Sequence, residues 1–155
     1  RWGIADSGVM SVFEGTMTKF PAEVKAGVGS SSKARRINEL ALQEMAAHAE
    51  LSQFINQMLW TFQAGSPADL FQKLTRFEQS GTAGKITAEM LVVNSTEDQV
   101  AGSNAQGKLF FNALTCPKTY MEFDASQGTQ FHCQLGAPQA SGERILNWLD
   151  DRAKP

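Results

Sequence analysis

The apolar residues in the second half of the chain occur in short continuous runs. Residues 90–94 (MLVVN) form one such run, which is typical of a β-strand buried on both faces. Residues 119–123 (TYMEF) predict a second strand, and residues 2–6 (WGIAD) predict a third, short strand that ends at a polar turn. The pattern therefore indicates at least three strands.

Between these strand signals the apolar residues follow a helical spacing. Ile37, Leu40, Ala41 and Met45 recur three and four residues apart, which predicts a helix over residues 33–62 with a break near its alanines. The loop before it, residues 27–32, offers serines as N-caps. Ser66 and Pro67 predict the start of another helix, and further helices are expected over residues 105–114 and 142–151.

From residue 86 onward the predicted elements alternate between strand and helix. Connections of this length imply a parallel sheet with right-handed crossovers, so the predicted fold class is α/β. The helical stretch lies between the first and second strands in the sequence.

The amino-acid composition argues against nucleic acid or a membrane as a partner of this chain. The chain has 155 residues, 42% of them hydrophobic and 19% charged, with a formal net charge of −2. No dense basic patch suggests nucleic acid, and no apolar run is long enough to cross a bilayer. The polar start of the sequence does not resemble a signal peptide, so we expect a cytoplasmic protein without nucleic-acid or membrane partners.

Metal and disulfide chemistry is not indicated. The chain has two cysteines, Cys116 and Cys133, and two histidines, His48 and His132, without the close ligand spacing of a zinc site. We expect neither a disulfide framework nor a metal or other cofactor. A metal-dependent enzyme is kept only as an alternative that metal analysis would check.

Two loops at the ends of predicted parallel strands carry residues suited to catalysis. In an open parallel sheet, ligands bind beyond the carboxyl ends of the strands. Asp98 and Glu97 follow the strand at 90–94, and His132 follows the strand at 119–123. An acid that holds an imidazole is the second half of a Ser-His-Asp relay, because the carboxylate fixes the tautomer and stabilises the imidazolium. We predict the pair Asp98 and His132, with Glu97 as the competing acid.

Plainer explanations exist for both residues. An Asp in a loop after a strand often forms a turn or caps a helix. A single His near apolar residues often has a structural role. The spacing by itself leaves these explanations open.

Four segments, taken in order, resemble a known family. ITAEMLVVNSTEDQV, LTCPKTYMEF, GTQFHCQLGA and RILNWLDDR are similar to the C-terminal part of an α/β-hydrolase. The resemblance is to the branch that includes fungal polyketide-shortening hydrolases and 2,6-dihydroxypseudooxynicotine hydrolase. It implies that Asp98 is the triad acid and that His132 is the base. It also implies that residues 1–14, which would contain sheet strand six, form part of the hydrolase core with residues 86–155, and that residues 15–85 are a helical lid inserted before strand seven.

The serine nucleophile that this resemblance implies is missing. The G-x-S-x-G pattern of the family is absent, and the nearest segment, Gly29–Lys33 (GSSSK), has no strand before it. We therefore expect a fragment, with the nucleophile and oxyanion donors in a missing N-terminal portion of the same enzyme. The first strand would then lie at an open edge of the sheet.

Two functions remain in competition. The first is part of a serine hydrolase that cleaves an ester or a ketone-adjacent C–C bond in an aromatic or polyketide-like small molecule. In it, Trp60, Phe62, Phe71 and Phe77 of the lid would cover the substrate, although helical spacing also fits core packing. The second is a non-catalytic, hydrolase-like binding or assembly module. Homodimerisation is left open.

Overall fold

The computed structural model describes residues 1–154, apart from the side chains of Ala101 and Ser103. The chain divides into two compact units. One unit comprises Arg1–Met10 and the segment that begins at Gln79, and the other comprises Ser11–Glu78. The chain passes from one unit to the other between residues 10 and 11 and again between residues 78 and 79. The sequence predicted these boundaries slightly later, between residues 14 and 15 and between residues 85 and 86. The roles of hydrolase core and lid stay predictions.

The first unit is built on a parallel sheet of three strands in the order β1-β2-β3. The strands are β1 (Trp2–Asp6), β2 (Glu89–Ser95) and β3 (Lys118–Phe123). Both neighbouring pairs are parallel, so the three carboxyl ends lie at the same edge of the sheet. The chain is therefore mixed α/β with a three-stranded parallel sheet, and β1 lies at a sheet edge, as the sequence predicted.

The helices are named in chain order. They are α1 (Val12–Met17), α2 (Ala22–Gly27), α3 (Ala34–Ala47), α4 (Ala49–Thr61), α5 (Pro67–Leu74), α6 (Ser103–Ala113) and α7 (Pro138–Ala153).

Helices α6 and α7 cover opposite faces of the sheet. Met90 and Val92 point to one face, where they pack with Phe110 and Leu114 in and just after α6. The alternate residues Leu91 and Val93 pack with Trp148 of α7 on the other face. Because β2 is buried on both sides, its sequence is a continuous apolar run rather than an alternating one.

The second unit is a helical bundle formed by α1 to α5. Its core is lined by buried apolar side chains that include Val24, Ile37, Ile55, Leu70 and Leu74. The predicted break in the long helix is confirmed at His48, whose backbone is extended (φ −132°, ψ 102°) between α3 and α4. Ser66 caps α5 as predicted, because its Oγ accepts from the N–H of Asp69 at 3.3 Å.

The predicted serine cap of α3 is wrong. Lys33 is the N-cap residue, and among the described residues no side chain caps this helix. A 3₁₀ turn over Ser31–Lys33 leads into α3 instead, and the N–H of Ala34 donates to the carbonyl of Ser31. These tighter bonds take up helix-start N–H groups that a serine hydroxyl would otherwise satisfy.

The aromatic residues of the helical unit have different environments. Phe71 is fully buried, and its ring lies 5.0 Å from that of Phe20, so core packing accounts for it. Phe62 packs edge-on against Phe77 at 5.1 Å. The side chain of Trp60 is 82% exposed and does not belong to the core.

Candidate functional site

Polar residues gather where the three parallel strands end. Ser7 directly follows β1, Asp98 lies in the loop after β2, and His132 lies in the loop after β3. The parallel register places these loops at one edge of the sheet. This is the edge at which open α/β sheets bind ligands.

Asp98 is held in a tight turn and its side chain is fully buried. Its N–H donates to the carbonyl of Ser95 at 3.2 Å, which closes the turn at the end of β2. Its Oδ1 accepts from the N–H of Val100 at 2.9 Å, and its Oδ2 accepts from the Ser7 hydroxyl at 2.9 Å. These bonds offset the cost of burying a carboxylate.

His132 completes the set of partners around Asp98. The Nδ1 atom of His132 lies 2.9 Å from Oδ2 of Asp98. A carboxylate only accepts hydrogen bonds, so Nδ1 carries the proton and, in the neutral ring, Nε2 is left as an acceptor. The His132 side chain is 38% exposed, whereas that of Asp98 is 0% exposed. The buried acid therefore orients an imidazole that solvent can reach.

The loop before His132 is shaped by turns and glycine. Asp124, directly after β3, accepts from the N–H and the hydroxyl of Ser126. These two bonds lower the pKa of Asp124. Gly128 then adopts a left-handed backbone (φ 73°), and the hydroxyl of Thr129 donates to the carbonyl of Asp124 at 2.9 Å. The loop thus reverses compactly and returns His132 toward the sheet edge.

The two residues after His132 have unusual backbones. Cys133 (φ 49°) and Gln134 (φ 53°) both lie in the left-handed region, which non-glycine residues rarely adopt. The side chain of Gln134 is buried, and its Nε2 donates to Oδ1 of Asp6 at 3.2 Å and to Oγ of Ser95 at 3.1 Å. Gln134 therefore ties the His132 loop to the ends of β1 and β2.

Cys133 lies against the other side of the imidazole. Its Sγ atom is 3.3 Å from Nε2 of His132. Burial raises the pKa of the Cys133 thiol, and the carboxylates of Asp6 and Asp98 raise this pKa further. Cys133 and Cys116 are both free thiols.

The predicted proximity of Asp98 and His132 is confirmed. The competing acid, Glu97, is exposed, and its main-chain N–H donates to the carbonyl of Gln130 at 2.9 Å. The second histidine, His48, belongs to the helical unit and is 3.9 Å from Glu44. The catalytic roles of Asp98 and His132 stay predictions.

Sequence reasoning missed three contributors to this site. Ser7 lies in the polar turn after the first predicted strand, and its position directly after a parallel strand was a signal that could have identified it. Gln134 and Cys133 gave no such signal, because their contacts depend on two consecutive left-handed residues that the sequence pattern does not indicate.

The segment nearest to a nucleophile motif is not a strand-to-helix elbow. Residues 31–33 form a 3₁₀ turn, and the hydroxyl oxygens of Ser30 and Ser32 lie 3.0 Å apart. Helix α2, rather than a strand, precedes this turn.

The described part of the chain contains neither a candidate metal cluster nor a candidate membrane-spanning helix. Within it, no three His, Cys, Asp or Glu side chains are grouped so as to hold a metal ion. Across the same residues, no helix has both the length and the apolar character needed to cross a bilayer.

Comparisons with protein-family models, with curated proteins and with solved structures gave no significant match.

Proposed function

We propose that this chain supplies the acid and the base of a serine-type α/β-hydrolase. The observation that carries the proposal is the 2.9 Å contact between Nδ1 of His132 and the buried carboxylate of Asp98, each in a loop after one of two adjacent parallel strands. Asp98 orients the ring, and His132 acts as the general base. The resemblance of residues 86–152 to the hydrolase branch supports the same roles.

In this mechanism, His132 moves one proton in each direction. Nε2 takes the proton of a serine hydroxyl as the serine oxygen attacks the substrate carbonyl. The resulting imidazolium is stabilised by Asp98, whose carboxylate is already fixed by Ser7 and Val100. His132 then gives the proton to the leaving group, which is an alkoxide oxygen in an ester or an enolate carbon in a ketone-adjacent C–C bond.

The serine and the oxyanion donors belong, in this proposal, to another segment of the same enzyme, because the G-x-S-x-G pattern is absent from these residues. An open sheet edge supports this. β1 is one of the two edge strands, and its Trp2 and Ile4 are 44% and 41% exposed. Exposed apolar edge strands invite pairing with a further strand.

The substrate and the lid remain parts of the same proposal. The substrate is an aromatic or polyketide-like small molecule, as in the hydrolase branch that the sequence resembles. The helical unit is the lid, because the chain inserts it between β1 and β2.

A direct test uses the protein as its gene encodes it, with a fluorophosphonate probe and an ester substrate. We expect the probe to label a serine in a G-x-S-x-G segment. We also expect His132→Ala to lower turnover by about four orders of magnitude with little loss of folding. His48→Ala is the matched control, because His48 is exposed and lies in the helical unit. Near-normal turnover by His132→Ala would remove His132 from the mechanism.

The alternative is a non-catalytic module with a hydrolase-like sheet, which the missing nucleophile pattern favours. The same experiment separates the two functions. If the encoded protein contains no G-x-S-x-G segment, is not labelled by the probe and does not hydrolyse esters, the module replaces the enzyme.

A further inference from the structure

The thiol of Cys133, a potential nucleophile, lies beside Nε2 of His132. Sγ of Cys133 lies 3.3 Å from Nε2, and Oδ2 of Asp98 lies 2.9 Å from Nδ1 of the same ring. Because Nδ1 holds the ring proton, Nε2 accepts and the thiol donates. Thiol, imidazole and carboxylate are thus arranged in the order of a Cys-His-Asp relay.

This arrangement is imposed by the fold rather than by local preference. A left-handed backbone at the non-glycine residues Cys133 and Gln134 is energetically unfavourable, and it persists only where its surroundings enforce it. Here the two hydrogen bonds of the buried Gln134 amide enforce it. Such strain is typical of functional sites.

The electrostatic surroundings determine how the thiol would react. Burial and two nearby carboxylates raise the pKa of Cys133, so the thiol is protonated at neutral pH. It therefore differs from a cysteine that is already ionised before its substrate arrives. Its reactivity depends on transfer of the proton to His132 during attack.

We infer that Cys133 is an acyl-accepting nucleophile for activated esters or thioesters, with His132 as its base and Asp98 as the group that orients the base. In the step, Sγ forms a bond to the acyl carbon while the thiol proton passes to Nε2. The bond from the acyl carbon to the leaving oxygen or sulfur then breaks, and Nε2 returns the proton to that leaving group. The product is a thioester on Cys133 and a free alcohol or thiol.

This inference shares the Asp98–His132 pair with the proposed function but needs no serine. Labelling of a serine by fluorophosphonate reports on the proposed function alone. Acylation located at Cys133 by peptide mass mapping reports on the inference alone, so either proposal can fail while the other stands.

The test treats the protein, as its gene encodes it, with p-nitrophenyl acetate at neutral pH and follows each cysteine by peptide mass mapping. Cys116 is the internal control, because it is also a free, half-buried thiol but packs among apolar residues beside α6. We expect Cys133 to be acetylated about a hundredfold faster than Cys116, which is the lower range of what a positioned base contributes. In urea the two rates should become equal.

Two variants test whether the acetylation rate of Cys133 depends on His132 and Asp98. Asp98→Asn favours the wrong imidazole tautomer, and His132→Gln removes the base, so both should reduce the Cys133 rate to that of Cys116. Circular dichroism checks that they fold, and if the buried Asp98→Asn does not fold, His132→Gln decides. Equal rates for the two cysteines in the native chain would overturn the inference, as would an unchanged Cys133 rate in a folded variant.

Discussion

The imidazole of His132 and the carboxylate of Asp98 meet at 2.9 Å although 34 residues separate them in the chain. The contact exists because adjacent parallel strands deliver both loops to one edge of the sheet. The acid is buried and holds three hydrogen-bond donors, whereas the base is partly exposed. A fixed acid and an accessible base are what proton transfer to and from a substrate requires.

The hydrogen bonds that Asp98 accepts should contribute measurably to the free energy of unfolding of the chain. Asp98→Ala removes an acceptor that Ser7, Val100 and His132 share, so we expect the free energy of unfolding to fall by about 3 kcal/mol. Urea denaturation at pH 7 measures this change. The matched control is Glu97→Ala, because Glu97 is the exposed neighbour and its removal should cost less than about 0.5 kcal/mol. Equal stability of the two variants would contradict the network.

Gln134 should hold the His132 loop in place. Gln134→Ala removes both hydrogen bonds from the buried amide, and we expect a loss of about 2 kcal/mol in the free energy of unfolding. Faster hydrogen exchange should appear at the main-chain amides of residues 131–135. Gln127→Ala, an exposed glutamine in the same loop, is the control. If Gln134→Ala leaves both stability and exchange unchanged, the amide does not anchor the loop.

Two helical glycines should respond in opposite ways to alanine. A Cβ at Gly107 of α6 would overlap the buried amide of Asn94, so Gly107→Ala should lower the free energy of unfolding by about 1–3 kcal/mol. A Cβ at Gly142 of α7 meets open space, so Gly142→Ala should raise this free energy by about 0.5–1 kcal/mol through helix propensity. Thermal denaturation of the two variants measures both signs. A stabilising Gly107→Ala would show that α6 does not pack closely on β2.

Alkaline destabilisation should depend in part on Tyr120. Burial raises the pKa of its phenol above the ordinary 10.0, and its oxygen accepts from Nδ2 of Asn94 at 3.1 Å. A raised pKa means that the folded state holds the proton more tightly, so this stabilisation is complete below about pH 10 and is lost as pH rises through the folded pKa. The range from about pH 8 to about pH 11 brackets the ordinary tyrosine pKa. Over this range, the free energy of unfolding of Tyr120→Phe should therefore fall less than that of the unchanged protein. Urea denaturation at both pH values measures the difference, and an equal loss in both proteins would contradict it.

The sheet of the first unit could be predicted because its signals are local. A continuous apolar run such as Met90–Val93 has one simple explanation, a strand covered on both faces, and α6 and α7 provide that cover. Parallel pairing then follows from the length of the connections. The proximity of Asp98 and His132 follows from the pairing, so it too could be inferred before the structure was known.

The rest of the site could not be predicted for a physical reason. The contact of Cys133 with His132 and the anchoring by Gln134 depend on two left-handed residues, and neither residue is a glycine or an asparagine that would mark such a turn. The start of α3 could not be predicted for a similar reason. A 3₁₀ turn and capping by a serine side chain are alternative ways to satisfy the first N–H groups of the helix, and the sequence does not favour one over the other.

The most direct test of the central claim is the tautomer of His132, read by ¹⁵N NMR of the ring nitrogens at neutral pH. The account predicts a proton on Nδ1, shared with Asp98 and protected from exchange, and an unprotonated Nε2; the protected proton should disappear in Asp98→Ala. A neutral ring protonated on Nε2, or an Nδ1 proton that survives unchanged in Asp98→Ala, would contradict it.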